Sequence, residues 1–130
     1  MTQRFSTIAF ATVVAVGLAA SSLARADDTL AQGSFTGASG HETSGSVSVQ
    51  KTDNGHVVVL GEDFSFDGAP DPKLGFGKGG YDSASKFSVL KSNSGRQVYE
   101  LPAGIDPAQY DEIWVWCERY SVPLGVANLN

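Results

Sequence analysis

Cysteine is almost absent from this sequence, which contains only Cys117. An internal disulfide is therefore excluded, so the core must supply the stability that small secreted domains often take from cross-links. Covalent attachment of c-type haem is excluded as well, because it needs two cysteines and a histidine in a short run. Cys117 is left as an unpaired thiol whose role requires an explanation.

Positive charge is also scarce: nine Lys and Arg residues stand against 14 Asp and Glu, and they form no cluster. Phosphate-backbone binding requires a basic surface, so nucleic acid is not expected as a partner. The sequence has no Gly-x-Ser-x-Gly elbow, no His-Glu-x-x-His helix motif and no phosphate-binding glycine loop before a lysine. A conventional enzyme is not expected.

No apolar run is long enough to span a membrane as a helix. The longest, Ile8–Ala20, is shorter than the roughly 20 residues that a spanning helix needs. It follows Arg4 and precedes Ala24-Arg25-Ala26, whose small residues are typical of a signal-peptidase site. We therefore predict that residues 1–26 are a signal peptide, the alternative being an uncleaved membrane anchor.

Cleavage of that signal peptide leaves an acidic protein with no membrane segment. The removed part carries only two charges, both arginines, so the net charge changes from −5 to −7. The mature protein is expected to be periplasmic or secreted. Residues 27–32 are interpreted as a short polar lead-in, and residues 33–130 as one small domain.

The mature chain is rich in glycine and in turn residues, which favours strands over long helices. Ser46–Gln50 alternates polar and apolar residues, placing Val47 and Val49 on one face of a strand. Asp53-Asn54-Gly55 follows and suits a tight turn, and His56–Leu60 is again strand-like. These segments predict a β-hairpin.

Further strand-like segments recur about every ten residues along the chain. Glu112–Glu118 is the most strand-like of them, while Tyr120–Leu129, which Pro123 interrupts, is expected to be an edge or closing strand. Asp106–Tyr110 is predicted to form one helical turn, with Asp106 as its cap. The pattern predicts an all-β fold, a small antiparallel β-sandwich or barrel of about eight strands. The other predicted strands are Asp63–Phe66, Lys73–Phe76, Lys86–Leu90 and Arg96–Leu101.

The order and spacing of several segments resemble the DM-thirteen domain, a small exported or extracellular domain described as an electron-transfer module. The resemblance covers about Gly33 to Leu129. It implies a β-sandwich-like fold and a redox role for the cysteine that corresponds to Cys117. The matching segments are Phe64–Asp71, Leu90–Ser92, Gly95–Tyr99, Leu101–Pro102, Tyr110, Ile113–Glu118 and Tyr120–Val122.

Cys117 can be interpreted in two ways. In a strand it shares one face with Ile113 and Val115, as a small apolar core residue would, and a buried thiol reacts slowly. A free thiol in an oxidising compartment is nevertheless at risk of oxidation, so its retention favours a function. That function could be ligation of a redox cofactor brought by a partner, thiol chemistry, or copper binding with His41 and His56.

Three further residues are expected to contact a cofactor, whose identity the sequence leaves open: Trp116, Tyr99 and Asp71. Aromatic rings near a thiol can relay electrons or stack on a planar group, although most such rings simply pack in cores. Asp71 also belongs to an acidic, turn-rich stretch with Glu62, Asp63 and Asp67, whose carboxylates could bind calcium.

The sequence thus favours an exported accessory domain with an electron-transfer or thiol-redox role centred on Cys117, acting with a redox partner protein. The alternative is a non-catalytic binding module for a protein, a glycan or calcium, in which Cys117 is a core residue. The oligomeric state is left open.

Overall fold

The computed structural model describes residues 28–130, and the regular secondary structure within them is almost entirely β-strand. Among residues 29–130 the helical segments are two single-turn 3-10 helices, Ser83–Ser85 and Pro107–Gln109. The all-β prediction is confirmed, and the predicted signal peptide lies outside the described residues. The strands are β1 (Thr29–Gly37), β2 (Thr43–Ser44), β3 (Ser46–Thr52), β4 (Gly55–Leu60), β5 (Ser65–Phe66), β6 (Pro72–Gly77), β7 (Ser88–Val89), β8 (Gln97–Glu100), β9 (Glu112–Cys117) and β10 (Val122–Asn128).

Eight of these strands form one antiparallel, nearly closed, barrel-like sheet. Their order is β7-β6-β9-β10-β1-β3-β4-β8, and β2 pairs with β5 in a separate two-stranded ladder. Strands β9 and β10 therefore lie in the middle of the sheet, whereas β7 and β8 form its two ends. No helix within residues 28–130 is long and apolar enough to cross a membrane.

The predicted hairpin is present as β3 and β4. Thr52 pairs with Gly55, which has a φ of 138°, a conformation that glycine adopts without strain. Val47 and Val49 are buried and lie opposite Leu60 and Val58. Local alternation and turn chemistry were therefore sufficient to specify this unit.

The predicted helical turn is also confirmed. The side chain of Asp106 accepts a hydrogen bond of 3.0 Å from the backbone N–H of Ala108. Pro107 occupies the first helical position. A backbone N–H at this position has no acceptor within the helix, so the N–H that proline lacks costs no hydrogen bond. The turn ends three residues before β9 begins.

Strand β10, which was expected to be an edge or closing strand, lies inside the sheet. It pairs with β9 on one side and with β1 on the other, so the edge interpretation is wrong. Pro123, which lacks an N–H for the ladder, lies where the register shifts before Gly125. A bulge thus lets a proline occupy a central strand.

Other segments also depart from their predicted limits, among them Asp63–Phe66, of which only Ser65–Phe66 is a strand and pairs with β2. Strand β1 begins at Thr29, so most of the expected polar lead-in is paired with β3. Only Ser88–Val89 of the predicted strand at Lys86–Leu90 is paired, whereas β6 extends over Pro72–Gly77 between β7 and β9. Neighbours distant in the sequence decide these limits, so local patterns did not reveal them.

The inner face of the sheet forms one hydrophobic core. It is built from alternate residues of the long strands together with residues from the loops that close the ends of the sheet. The core residues are Phe35, Val47, Val49, Val58, Leu60, Phe64, Phe66, Leu74, Phe76, Leu90, Tyr99, Ile113, Val115, Cys117, Leu124 and Ala127.

Candidate functional site

Cys117 is the last residue of β9 and faces the core. It lies between Pro72 of β6 and Val122 of β10, and only 1% of its surface is exposed. Ile113 and Val115 are fully buried on the same side, as the alternation predicted. The thiol therefore occupies the environment of a small apolar residue.

The buried thiol is nevertheless at the rim of the sheet. The connection from β9 to β10 begins at the next residue, and its four residues, Glu118–Ser121, are all exposed. Ser121 has a φ of 51°, a left-handed conformation that is uncommon for residues other than glycine. The sulfur is therefore buried one residue away from an exposed connection.

Trp116 projects from the opposite, outer face of β9. Its indole stacks on the ring of Tyr81, with centroids 4.5 Å apart and planes 12° apart. Tyr81 reaches this position across Gly75 of β6, where a Cβ atom would lie 2.7 Å from Cε2 of Tyr81. Both stacked rings are half-buried, so they form a platform that solvent can reach.

Sequence reasoning missed Tyr81. The signal that could have identified it is the alternation in β6, where Leu74 and Phe76 are buried in the core while Gly75 and Gly77 leave the outer face bare. Glycine inside a strand often marks a position that another part of the chain or a ligand approaches closely. The loop that contains Tyr81 covers this face.

Asp71 lies beside this platform and is held by an ion pair. Its carboxylate is 3.0 Å from Nζ of Lys73, the residue that pairs with Trp116 across the sheet. The backbone carbonyl of Asp71 also accepts a 3.1 Å hydrogen bond from the N–H of Glu118. The hydrogen bond with Asp71 is the main reason that the pKa of Lys73 is raised.

Glu118 completes a small network of charges on the outer face. Its carboxylate accepts hydrogen bonds of 2.9 and 3.0 Å from Nζ of Lys86, and it lies 3.7 Å from Nζ of Lys73. Exposed pairs of this kind contribute little to stability. Their effect is to fix the charge pattern around Trp116 and Tyr81.

Two carboxylates influence the phenols of this region. Burial raises the pKa of Tyr81, and the negative charges of Glu118 and Asp82 raise it further. Tyr110 donates a 2.9 Å hydrogen bond to Asp82, and this bond is the main reason that the pKa of Tyr110 is raised. Asp82 therefore lies near both phenols.

Tyr99 lies in the core and not on the platform. Its hydroxyl accepts a 3.0 Å hydrogen bond from the N–H of Lys91 and donates one to the side chain of Gln97. Burial raises the pKa of Tyr99. The four predicted site residues thus separate: Trp116 and Asp71 share the outer surface, whereas Cys117 and Tyr99 face inward.

The structure does not assemble the copper ligands that the sequence allowed. His41 is bonded to Asp67 at 2.9 Å, and His56 lies at the start of β4. Residues 28–130 contain no group of three or more His, Cys, Asp or Glu side chains arranged to bind a metal. Cys117 therefore has no pair of histidines beside it.

The acidic stretch is dispersed in the same way. Asp63 accepts hydrogen bonds from the backbone and hydroxyl of Ser46, and Asp67 accepts them from His41 and the N–H of Glu42. Asp71 pairs with Lys73 instead. These three aspartates bind different local partners, and no metal-binding group of acidic side chains is formed among residues 28–130, which leaves the calcium alternative without a site in this stretch.

Comparison with known proteins identifies the family only. No curated protein matches this chain, and no solved structure matches it. The family model described as Electron transfer DM13 matches residues 34–129, which include all the strands but the start of β1. The chain therefore belongs to the DM13 family of electron-transfer domains.

Proposed function

We propose that this protein is an exported accessory domain that transfers electrons outside the cytoplasm, with Cys117 as its redox-active or ligating atom. Membership of the DM13 electron-transfer family is the observation that carries the proposal. The chemistry is assigned to Cys117 because it is the only thiol of the chain. The predicted signal peptide is the reason for assigning an extracytoplasmic site of action.

The burial of Cys117 favours ligation or electron exchange over rapid thiol–disulfide exchange. A mixed disulfide requires in-line attack on an accessible sulfur, and 1% exposure does not allow it in the closed state. The position of the residue at the end of β9 lets a limited opening of Glu118–Ser121 admit a partner or a cofactor.

The outer face of β6 and β9 is the surface on which a redox partner protein or a planar cofactor would make contact. Trp116 supplies an aromatic ring there, and Asp71 and Lys73 supply a fixed ion pair beside it. Aromatic rings are frequent anchors at protein interfaces because they combine a large apolar area with few rotatable bonds.

Tyr99 does not belong to this surface. It lies in the core, where its hydroxyl holds β8 against the segment after β7.

The second candidate is a non-catalytic binding module in which Cys117 is a core residue. The same 1% exposure of Cys117 favours this alternative. The two functions differ in what they require of the thiol, because only the redox function needs it to meet a partner, a cofactor or solvent.

Titration of the thiol separates these functions. The protein lacking residues 1–26 would be reacted with an aromatic disulfide reagent, first native and then in denaturant, and its visible absorption spectrum recorded as purified. The redox function predicts native-state reaction through local opening, or a visible band that Cys117→Ala abolishes. A colourless protein whose thiol reacts only at the rate of global unfolding would exclude it and favour the binding module.

A further inference from the structure

The region around β9 contains a second group suited to one-electron chemistry besides the thiol. Trp116 directly precedes Cys117, and the alternation of the strand places the indole outside and the sulfur inside. The buried sulfur has no direct access to solvent, whereas the indole has. A partner that docks on the outer face would therefore reach the indole first, one residue from the sulfur.

Stacking makes Trp116 the easier of the two tryptophans to oxidise. A positive charge on one ring is attracted by the negative face of a ring stacked on it, and Tyr81 supplies such a face at 4.5 Å. Trp114 lies on the same strand and the same face, but it stacks on no aromatic ring among residues 28–130. Its indole N–H is instead directed at Glu112, 3.4 Å away.

Carboxylates lie near both indoles, Glu112 at Trp114 and a group of three at the stacked pair, so the stack is the feature that distinguishes Trp116. Asp82 and Glu118 lie close enough to Tyr81 to raise the pKa of its phenol. Asp71 is a third carboxylate in this region, and the adjacent ammonium groups are those of Lys73 and Lys86. Negative charge near the stacked rings stabilises an electron deficit on them.

From these observations we infer that the stacked pair Tyr81–Trp116 is the point at which an electron leaves or enters the domain. This inference rests on the proposed electron-transfer function and extends it to a pair of residues. In the step, one electron passes from the Trp116 indole to a one-electron oxidant, which is reduced by one electron. The indole becomes a radical cation, and a one-electron reductant restores it. If the radical cation first gives its N–H proton to water, the reduction is accompanied by return of one proton.

Flash oxidation tests the assignment. A photogenerated ruthenium(III) polypyridyl complex would serve as the oxidant, and transient absorption would measure the yield of the tryptophan radical. Because the chain has only two tryptophans, Trp114→Phe and Trp116→Phe are matched variants. Trp114→Phe is expected to retain most of the radical, and Trp116→Phe to lose most of it.

The contribution of stacking would be measured in the Trp114→Phe background. Tyr81→Leu should lower the radical yield roughly two- to fivefold, as expected for the loss of one cation–π contact, whereas Tyr81→Phe keeps a ring and should restore it. Circular dichroism and the unfolding midpoint of each variant would confirm that the fold is intact. An equal yield in Tyr81→Leu and Tyr81→Phe, or a radical mainly on Trp114, would overturn the inference.

The Cys117→Ala variant separates this inference from the proposed function. The Trp116 radical should form in that variant as well, because the first electron leaves the indole. If the radical forms on Trp116 while the thiol titration shows an inert Cys117, the result supports the assignment of the Tyr81–Trp116 pair and contradicts the redox role of Cys117. If the radical does not form on Trp116, the assignment of the pair is contradicted, whatever the thiol titration shows.

Discussion

Cys117 places a thiol in an apolar environment. The thiol is the only one of the chain, yet it faces the core beside Val115 and Ile113. A buried sulfur behaves as a small hydrophobe, and a hydroxyl in its place would need a hydrogen-bond partner. Substitutions at this residue therefore separate packing from polarity.

Cys117→Ser is expected to destabilise the fold more than Cys117→Ala. The alanine leaves a small cavity and should cost about 1 kcal/mol, whereas the serine places an unpaired hydroxyl in the core and should cost about 1–3 kcal/mol. Urea unfolding of the three proteins at pH 7 measures the difference. Equal stability of the serine variant and the wild type would show that the site is more polar than its neighbours indicate.

Asp63 contributes to the stability of the fold in a way that depends on pH. Two hydrogen bonds from Ser46, from its N–H at 2.9 Å and its hydroxyl at 2.7 Å, hold the pKa of Asp63 below its ordinary 3.8. Because the folded pKa is the lower one, the stabilisation is present above the ordinary value and is lost as the pH falls through the folded pKa.

We therefore expect Asp63→Asn to reduce the dependence of stability on pH below about 4, where the wild type weakens as Asp63 becomes protonated. Unfolding midpoints measured between pH 7 and pH 2.5 test this. Asp53→Asn, in the exposed turn between β3 and β4, is the matched control. A wild-type slope retained in Asp63→Asn would rule out this carboxylate as the source.

At the scale of single elements, β6 shows how glycine shapes the candidate site. Its alternation of large buried residues with glycines leaves the outer face bare between Lys73 and the end of the strand. Gly75 permits Tyr81 to cross the strand and reach Trp116. The position of the aromatic pair thus depends on the absence of a side chain.

Gly75→Ala should displace Tyr81 and destabilise the protein by about 1–3 kcal/mol, because the new Cβ would lie 2.7 Å from the Tyr81 ring. Near-ultraviolet circular dichroism should report the loss of the stack, and urea unfolding the loss of stability. Gly104→Ala is the control, since its Cβ would have no atom within 4 Å, and a change within about 0.5 kcal/mol is expected there. An unchanged aromatic signal in Gly75→Ala would mean that the loop adjusts without moving the ring.

At the scale of the whole molecule, the two ends of the sheet are joined by side chains. Strands β7 and β8 are the ends of the sheet order. Tyr99 of β8 bonds to the N–H of Lys91, two residues after β7, and Gln97 accepts from and donates to the backbone of Ser92. These contacts replace the ladder that a fully closed barrel would have.

Tyr99→Phe is expected to weaken this closure. Removal of the hydroxyl leaves the Lys91 N–H and the Gln97 side chain without that partner, which should cost about 1–3 kcal/mol. Urea unfolding measures the cost, and hydrogen exchange at β8 should accelerate. Tyr120→Phe is the control because Tyr120 is 62% exposed. Equal effects of the two substitutions would argue against a closing role for Tyr99.

The sequence by itself determined those features that depend on neighbours along the chain. The all-β class, the β3–β4 hairpin, the turn capped by Asp106 and the inward face of Cys117 follow from period-two alternation and from turn or capping residues. The resemblance to the DM-thirteen domain agrees with the family match over residues 34–129.

Only the tertiary structure decided which distant segments become neighbours. The central position of β10, the inclusion of Thr29 in β1, the stack of Tyr81 on Trp116 and the separation of Tyr99 from that stack are examples. Each depends on strand order and on which bare surfaces another segment covers. Local patterns do not contain this information, because the free energy of such contacts comes from packing between residues far apart in sequence.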